Sequence, residues 1–278
     1  RSRGYIYVDK TLLLYNLVQT GKYYFLSRPR RFGKSLMIST LEAYFLGKRE
    51  LFKGLAMESL EKDWTVHPVL HMDLNTEKYD TEASLENKLE LTLKQWEAEY
   101  GHNPDEYSVA TRFEGVIRRA AKKMGQKVVI LIDEYDKPML QAITNSELQT
   151  KFRNTLKAFY GALKSCDGFI HFAMLTGVTK FSKVSVFSDL NNLRDISMVN
   201  QYAEICGISD AELHQYFDED IHSLADKLSI DYTKACGLLK ENYDGYHFCY
   251  NSIGMYNPFS LLSTFANMQI GSYWFETG

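Results

Sequence analysis

Few features of secreted, membrane or strongly basic nucleic-acid-binding proteins are present in this sequence. The four cysteines show no CxxC spacing, which argues against a zinc site and predicts reduced thiols in a cytoplasmic protein. The longest apolar runs, at 127–132 and 169–175, have the length of strands and are too short to span a membrane. A net charge of −3 argues against an extended basic surface for nucleic acid. The 278 residues, with only five prolines, indicate one large or two modest globular domains.

Short apolar segments alternate with segments of helical periodicity along the first two hundred residues. The predicted strands lie at 23–27, 68–74, 127–134, 168–177 and, more weakly, 193–199. The predicted helices lie at 34–47, 81–101, 108–125 and 146–165. Because the inner strands are continuous runs of Val, Ile and Leu, the pattern predicts an α/β fold with a mainly parallel five-stranded sheet between helices.

The pattern changes after about residue 205. Short helices are predicted at 209–220 and 231–245, followed by a hairpin at 246–258 and a helix from Pro258. We therefore expect a core domain at 1–204 and a small, mainly helical region at 205–278. No signal peptide is apparent, and a chain that begins with Arg1 is expected to be a fragment.

The stretch FLSRPRRFGKSL (25–36) contains the end of a phosphate-binding motif. Gly33-Lys34-Ser35 matches the last three positions of G-x-x-x-x-G-K-[ST], but Arg28 stands where the first glycine is expected. The stretch lies between a predicted strand and a predicted helix, where backbone N–H groups can hold phosphates. Pro29 fixes its own φ angle and biases Arg28 towards an extended conformation, so the chain is expected to enter this loop by an unusual route.

The arginines of this loop have alternative roles. Arg28, Arg30 and Arg31 can face the phosphates, a neighbouring subunit or solvent. The sequence does not choose among these. We include all three in the predicted nucleotide-binding stretch, whose members are Arg28, Pro29, Arg30, Arg31, Phe32, Gly33, Lys34, Ser35 and Leu36.

A second motif supports a nucleotide site. The strand VVILIDE ends in Asp133 and Glu134, where nucleotide hydrolases carry a magnesium-binding carboxylate. We expect Lys34 to bind the β- and γ-phosphates, and Ser35 and Asp133 to hold Mg²⁺. Glu134 is positioned in sequence to activate a water molecule; the alternative is that it only caps a helix or pairs with an arginine.

These motifs resemble those of the bacterial and archaeal AAA-ATPase-like family. RPRRFGKS resembles its Walker A loop and VVILIDEYDKP its Walker B strand, and TGVTKFSKVSVFSDLNNLRDIS, YDGYHF and YNPFSLL resemble its later segments. The resemblance implies an extra strand between the two Walker strands, with ATP and Mg²⁺ as cofactors. It also implies that Glu134 activates water and that Thr176 is a sensor that contacts the γ-phosphate or the attacking water. Lys180 and Arg194 are weaker candidates for sensing or finger roles.

The resemblance also bears on partners. Members of the family commonly carry a PD-(D/E)XK nuclease-like domain after the ATPase region, and this chain is expected to stop before such a domain. No nuclease motif is visible within the chain, so any role of nucleic acid is expected to be indirect, and self-association stays open. Near the amino terminus, Tyr5, Tyr7 or Lys10 is a candidate to contact adenine; the alternative is an edge strand with outward tyrosines.

The sequence thus predicts a MgATP-binding P-loop ATPase that acts as a slow switch on an attached or associated effector. Lys34, Glu134 and Thr176 are the expected catalytic residues. One alternative is a nucleotide-binding scaffold that does not hydrolyse ATP, and another is a nucleic-acid-binding module that uses the basic loop.

Overall fold

The computed structural model describes residues 5–179 and 192–273. The chain forms two compact units. The sheet unit consists of Tyr15–Arg28 and Ile38–Ile196, and the segmented unit consists of the described parts of Arg1–Leu14, Pro29–Met37 and Ser197–Gly278. The boundary at residue 204 expected from the sequence stays a prediction.

The sheet unit contains a five-stranded parallel sheet in the order β2-β3-β4-β1-β5. The strands are β1 (Tyr23–Ser27), β2 (Val69–Asp73), β3 (Val128–Asp133), β4 (Ile170–Gly177) and β5 (Arg194–Asp195). β3 is buried along its whole length, as expected for a continuous apolar run inside a parallel sheet. The predicted α/β class is confirmed, and β4 is the strand that separates β1 from β3.

Seven helices precede the fourth strand within the described residues. They are α1 (Thr11–Thr20), α2 (Lys34–Phe45), α3 (Ala56–Leu60), α4 (Glu82–Tyr100), α5 (Val109–Met124), α6 (Lys137–Gln141) and α7 (Ser146–Ser165). Short 3-10 turns lie at Arg49–Phe52 and Asp167–Phe169, and a third at Asn200–Tyr202. α5 starts with a capping box between Ser108 and Thr111 and ends at Gly125, whose left-handed conformation suits glycine.

One local expectation for the sheet unit needs correction, and one helix starts without a side-chain cap. The fifth strand was predicted at 193–199, but only Arg194 and Asp195 pair with β1, so this edge strand is very short. Thr81 lies at the amino-terminal cap position of α4, yet its side chain makes no capping hydrogen bond. Directly after β5 the N–H of Ile196 still donates to the carbonyl of Phe25 at 2.9 Å, but the residues from Ser197 onward belong to the segmented unit and do not extend the strand.

Among its described residues, the segmented unit contains three whole helices and a two-stranded antiparallel ladder. The helices are α8 (Asp210–Leu228), α9 (Tyr232–Tyr243) and α10 (Pro258–Asn267), and the strands are β6 (Ile208–Ser209) and β7 (Met255–Tyr256). α8 runs beyond the predicted end at residue 220 because Ile221, Leu224 and Ala225 continue its buried face. The predicted hairpin at 246–258 is reduced to one bridge between Tyr246 and Met255, since β7 pairs mainly with β6.

Candidate functional site

The loop after β1 turns without the expected first glycine. The N–H of Arg28 donates to the carbonyl of Gly177 at 3.1 Å, so the ladder between β1 and β4 continues one residue beyond β1. The chain then turns at Arg31 and Gly33, whose φ angles are +65° and +92°. Left-handed backbone is easy for glycine and strained for arginine. The turn that a first glycine normally makes is therefore made three residues later, by Arg31.

Lys34 and Ser35 begin α2 directly after this turn. The hydrogen-bond ladder of α2 opens where the N–H of Met37 donates to the carbonyl of Gly33 at 3.0 Å. Lys34 is buried, and its Nζ donates to the carbonyl of Pro29 at 3.2 Å, so the ammonium group lies across the loop. Ser35 is exposed. The N–H groups in the first turn of a helix have no partner within the helix and point beyond its amino end. This end of α2 is therefore suitable for binding an anion.

The three arginines of the loop have different environments. Arg28 is 1% exposed, and its Nη1 donates to the carbonyl of Ser27 at 3.0 Å. Arg31 places its guanidinium group 3.8 Å from the ring centre of Phe259, a cation–π contact. Arg30 is exposed. The solvent-facing alternative is therefore wrong for Arg28, which is buried, whereas Arg30 and Arg31 are exposed.

Phe32 anchors the loop within the segmented unit. Its ring is fully buried and meets Tyr246 and Phe248 edge-on, at centroid distances of 4.7 and 5.4 Å. Its carbonyl accepts a hydrogen bond of 3.1 Å from the N–H of Gly207. A Cβ atom at Gly207 would lie 3.0 Å from the Phe32 ring, and the φ of Gly207 is +93°, so glycine suits this position.

The carboxyl end of β3 in the sheet unit joins two of the predicted catalytic residues to Asp133. Asp133 is buried, and its Oδ1 accepts hydrogen bonds from the hydroxyl of Thr176 at the end of β4 and, at 3.1 Å, from the N–H of Glu134. Glu134 has a φ of +54°, which is unusual for a residue other than glycine. Strain of this kind is often found at functional sites.

Asp136 is a buried carboxylate that the sequence reasoning missed. It accepts hydrogen bonds from the N–H of Val178 (3.1 Å to Oδ2), the N–H of Thr179 (2.7 Å) and the hydroxyl of Thr179 (2.8 Å). The neighbouring Tyr135 adds a backbone contact between the end of β4 and the residues after β3, because its N–H donates to the carbonyl of Thr176 at 2.9 Å. These bonds hold Val178 and Thr179, the two residues directly after β4, against Asp136. The repeated acidic pattern DEYD was the available signal.

A cavity of about 400 Å³ lies within the segmented unit. Its wall includes Tyr5, Tyr7 and Lys10, the three residues proposed from the sequence to contact adenine. Gly33 and Leu36 from the predicted nucleotide-binding stretch also line it. The edge-strand alternative for residues 5–11 is wrong, because no strand forms there and α1 begins at Thr11.

Two weaker candidates do not strengthen the site. Arg194 pairs in register with Tyr24 and Thr176 with Leu26, so the two residues lie on the strands either side of β1, two positions apart along it. Lys180 lies outside the described residues. Within the described ranges, no cluster of three or more His, Cys, Asp or Glu side chains could hold a metal ion, and no helix is long and apolar enough to cross a membrane.

Comparison with known proteins gives a family and one curated relative. The family model described as "Predicted AAA-ATPase" matches residues 1–187. An "Uncharacterized protein in vnfD 5'region" from Azotobacter chroococcum mcd 1 is 39% identical over 275 residues, which is 99% of this chain and 51% of that protein. The chain thus spans about half the length of this relative. No solved structure matches the chain.

Proposed function

Because the chain belongs to the AAA-ATPase-like family, we propose that it binds ATP with Mg²⁺ through residues 28–36 and hydrolyses it slowly. The nucleotide state then controls an attached or associated effector. The family match supports nucleotide binding, and the roles of individual residues in binding and hydrolysis are our proposal.

The conformation of the loop after β1 is the observation that supports this proposal most. Positive φ angles at Arg31 and Gly33 bend the chain tightly just before Lys34 begins α2. Successive N–H groups in such a turn, followed by a helix amino terminus, favour a bound phosphate. The ammonium group of Lys34, held near Pro29, supplies positive charge over the same loop.

Hydrolysis requires a base, a charge-stabilising cation and an in-line water molecule. In our proposal Glu134 takes a proton from water, the water oxygen bonds to the γ-phosphorus, and the bond from that phosphorus to the β–γ bridging oxygen breaks. The products are ADP and inorganic phosphate. Lys34 stabilises the negative charge that accumulates on the β- and γ-phosphate oxygens.

The Asp133 carboxylate fits the proposed magnesium site. Its two hydrogen bonds both use Oδ1, and no hydrogen bond to Oδ2 is found in the described part of the chain. One oxygen is thus held in place while the other can bind the metal directly or through water. The exposed hydroxyl of Ser35 is the other proposed ligand. When bound, Mg²⁺ neutralises charge on the transferred phosphate.

Thr176 has a proposed role that extends the sensor expected from the sequence. Its hydroxyl hydrogen is donated to Asp133. The hydroxyl oxygen retains lone pairs and can accept a hydrogen bond from the attacking water. We propose that Thr176 orients Asp133 and, through the same oxygen, senses the attacking water. Sensing of the γ-phosphate would instead require the hydroxyl hydrogen to turn from Asp133 to a phosphate oxygen.

The effector is the domain or protein that the nucleotide state would control. A nuclease-like domain attached to the ATPase region is our first candidate, with nucleic acid contacted only through that domain. The relative from Azotobacter chroococcum is about twice as long as its match to this chain, which leaves room in that protein for a further domain. All four cysteines are free thiols, in keeping with the proposed cytoplasmic location.

Steady-state phosphate release from MgATP tests the proposal. We expect Lys34→Ala and Glu134→Gln each to reduce turnover on the order of 100-fold, with Glu134→Gln still binding ATP. The exposed residues Lys94 and Glu86 of α4 provide matched controls, because Lys94→Ala and Glu86→Gln remove the same charges elsewhere. Wild-type turnover no higher than that of Lys34→Ala would contradict hydrolysis. ATP binding without turnover in the wild type would favour the scaffold alternative.

A further inference from the structure

The cavity in the segmented unit is surrounded by apolar side chains that folding leaves unburied. Tyr5, Ile6, Leu36 and Leu262 line it, and they are between 50% and 72% exposed. Scattered exposed apolar residues need no explanation, but a group of them around a cavity marks a binding surface. The volume of about 400 Å³ lies in the range of small-molecule sites.

The position of the cavity indicates what occupies it. Gly33, Leu36 and Met37 form part of its wall, and they immediately flank Lys34 and Ser35 in the loop and first turn of α2. A nucleotide whose phosphates lie on this loop carries its ribose and base on the same molecule, only a few bond lengths away. An apolar cavity that shares residues with the loop is the natural place for the flat, largely apolar face of a base.

Two charged side chains line this otherwise apolar cavity, and they differ in their partners. The Nζ of Lys10 lies 2.6 Å from both carboxylate oxygens of Glu212, so its charge is compensated within the protein. The carboxylate of Asp220 makes no hydrogen bond or ion pair within the described part of the chain. Partial burial is the main cause that raises the pKa of the Asp220 carboxyl, and the charge of the neighbouring Glu219 raises it further. A partly buried carboxylate has lost hydrogen bonds to water. A ligand that donates a hydrogen bond to this carboxylate therefore restores part of the lost stabilisation.

Helix α8 brings Asp220 to the cavity wall. Phe217 and Asp220 are three residues apart, which places them on the same helical face, and both line the cavity. The backbone departs from helical geometry at Phe217, with φ −130° and ψ 18°. The Phe217 ring stacks on Phe265, another wall residue, at a centroid distance of 5.6 Å. The carboxylate is thus carried on a packed element rather than on a loose loop.

We propose that this cavity holds the adenine base of ATP and that Asp220 accepts a hydrogen bond from the exocyclic amino group of that base. Asp220 is then a specificity-determining residue. The inference rests on the proposed nucleotide function but makes a separate claim, because it concerns which base is preferred and which residue selects it.

The chemistry of the purines explains the choice of adenine. At position 6 adenine carries an amino donor, whereas hypoxanthine and guanine carry a carbonyl oxygen that a carboxylate repels. Guanine also needs a donor for that oxygen, and the ammonium group of Lys10 is already engaged by Glu212. A mostly apolar wall favours the purine with fewer polar groups to desolvate.

Calorimetric titration of the whole chain with MgATP, MgITP and MgGTP tests this inference. We expect wild type to bind ATP at least tenfold more tightly than ITP, and more tightly than GTP. In Asp220→Asn the side-chain amide can donate to the carbonyl oxygen of ITP, so the preference should fall to threefold or less. Glu219→Gln is the matched control, since it makes the same charge change on the adjacent, exposed residue outside the cavity wall and should keep the wild-type preference.

The outcomes separate this inference from the proposed function. ATP binding with an unchanged ATP-to-ITP preference in Asp220→Asn would overturn the role of Asp220 while leaving ATP binding intact. Tighter binding of GTP than of ATP by the wild type would overturn the assignment of adenine. No binding of any of the three nucleotides would overturn the proposed function itself. Circular dichroism of Asp220→Asn, compared with wild type, excludes misfolding as the cause of a lost preference.

Discussion

The sheet unit and the segmented unit are assembled in different ways. The sheet unit is nearly continuous in sequence, and near the carboxyl end of β3 its Asp133 and Asp136 are buried and accept hydrogen bonds. The segmented unit gathers three distant stretches, and these leave an apolar cavity open to solvent. One unit therefore carries two buried, hydrogen-bonded carboxylates, while the other carries a cavity whose apolar wall is partly exposed.

This difference fits a division of labour in a nucleotide-binding protein. Carboxylates that must meet a metal or a water molecule need to be fixed in advance, because misplacement by about 1 Å is costly. A base can be bound by shape and by apolar contact, with few polar groups to set its orientation. Substitutions in the two units should therefore affect different properties.

The largest expected effect is in the segmented unit, from Phe32→Ala. Removal of the ring leaves a void beside Tyr246 and Phe248, at an expected cost of about 3–5 kcal/mol in the free energy of unfolding. Urea denaturation measures the loss. Amide exchange should also accelerate at Gly207, whose N–H is bonded to the Phe32 carbonyl. The control is Phe169→Ala, at a position that is 38% exposed. Equal losses in the two variants would contradict Phe32 as the anchor.

A smaller effect is expected in the sheet unit from Arg112→Leu. Arg112 makes a two-point contact with buried Glu97, at 2.8 Å for both bonds, and also binds Glu90 at 2.6 Å. The variant leaves Glu97 buried without its partner, at a cost of about 3 kcal/mol. Adding Glu97→Leu should recover a large part of this loss. A double variant no more stable than Arg112→Leu alone would show that packing, rather than the unpaired carboxylate, sets the cost.

The same ion pair predicts a pH dependence. The hydrogen bonds from Arg112 lower the pKa of Glu97 despite its burial. Because the folded pKa lies below the unfolded value, the stabilisation is complete above the unfolded pKa and is lost as the pH falls through the folded one. Wild type should therefore lose more stability than the double Leu variant when urea denaturation is repeated at progressively more acidic pH values below the unfolded pKa.

Asp136→Ala tests the fixed geometry of the sheet unit at a cost of about 2 kcal/mol. The variant removes the acceptor for the N–H groups of Val178 and Thr179, which are partly buried. Since Asp136 acts through the chain after β4, we expect the kcat of ATP hydrolysis to fall on the order of tenfold with little change in KM. Asp136→Asn retains an acceptor oxygen and should be intermediate. A rise in KM at constant kcat would place its role in binding instead.

The smallest expected effect comes from the stacked pair His67 and His171, whose ring centres are 4.2 Å apart. Burial and the neighbouring His67 lower the pKa of His171 to about 4. The unfolded chain therefore binds more protons between pH 6.5 and 4, and wild type loses stability as the pH falls through that range. His171 keeps substantial solvent exposure, so the expected loss is about 1 kcal/mol or less. Thermal melts of His171→Gln should show a flatter pH profile.

Local sequence patterns were sufficient to predict most of the sheet unit. The continuous apolar run of β3 and the capped, Gly-terminated α5 carry their own signals, and both elements form where the sequence places them. α1 was missed, although its signal is present: Asp9 accepts hydrogen bonds from the N–H and hydroxyl of Thr11, ahead of the apolar positions of the helix.

The segmented unit was harder to predict because its contacts join residues far apart in sequence. The pairing of β6 with β7 joins Ile208 to Tyr256, and neither two-residue strand has a periodicity that could reveal it. The left-handed conformation of Arg31 could not be predicted either, because glycine is the usual sequence signal for a positive φ angle and arginine is not. In the sequence Asp220 is one of several acidic residues in the predicted helix 209–220, and only the cavity distinguishes it.

The most direct test of the central claim is a calorimetric titration of wild type and Lys34→Ala with MgATP, with Lys94→Ala as control. We predict saturable binding to wild type and Lys94→Ala, and binding at least tenfold weaker to Lys34→Ala, because its ammonium group supplies the charge over the loop. Equal affinity of wild type and Lys34→Ala for MgATP would contradict a nucleotide site at residues 28–36.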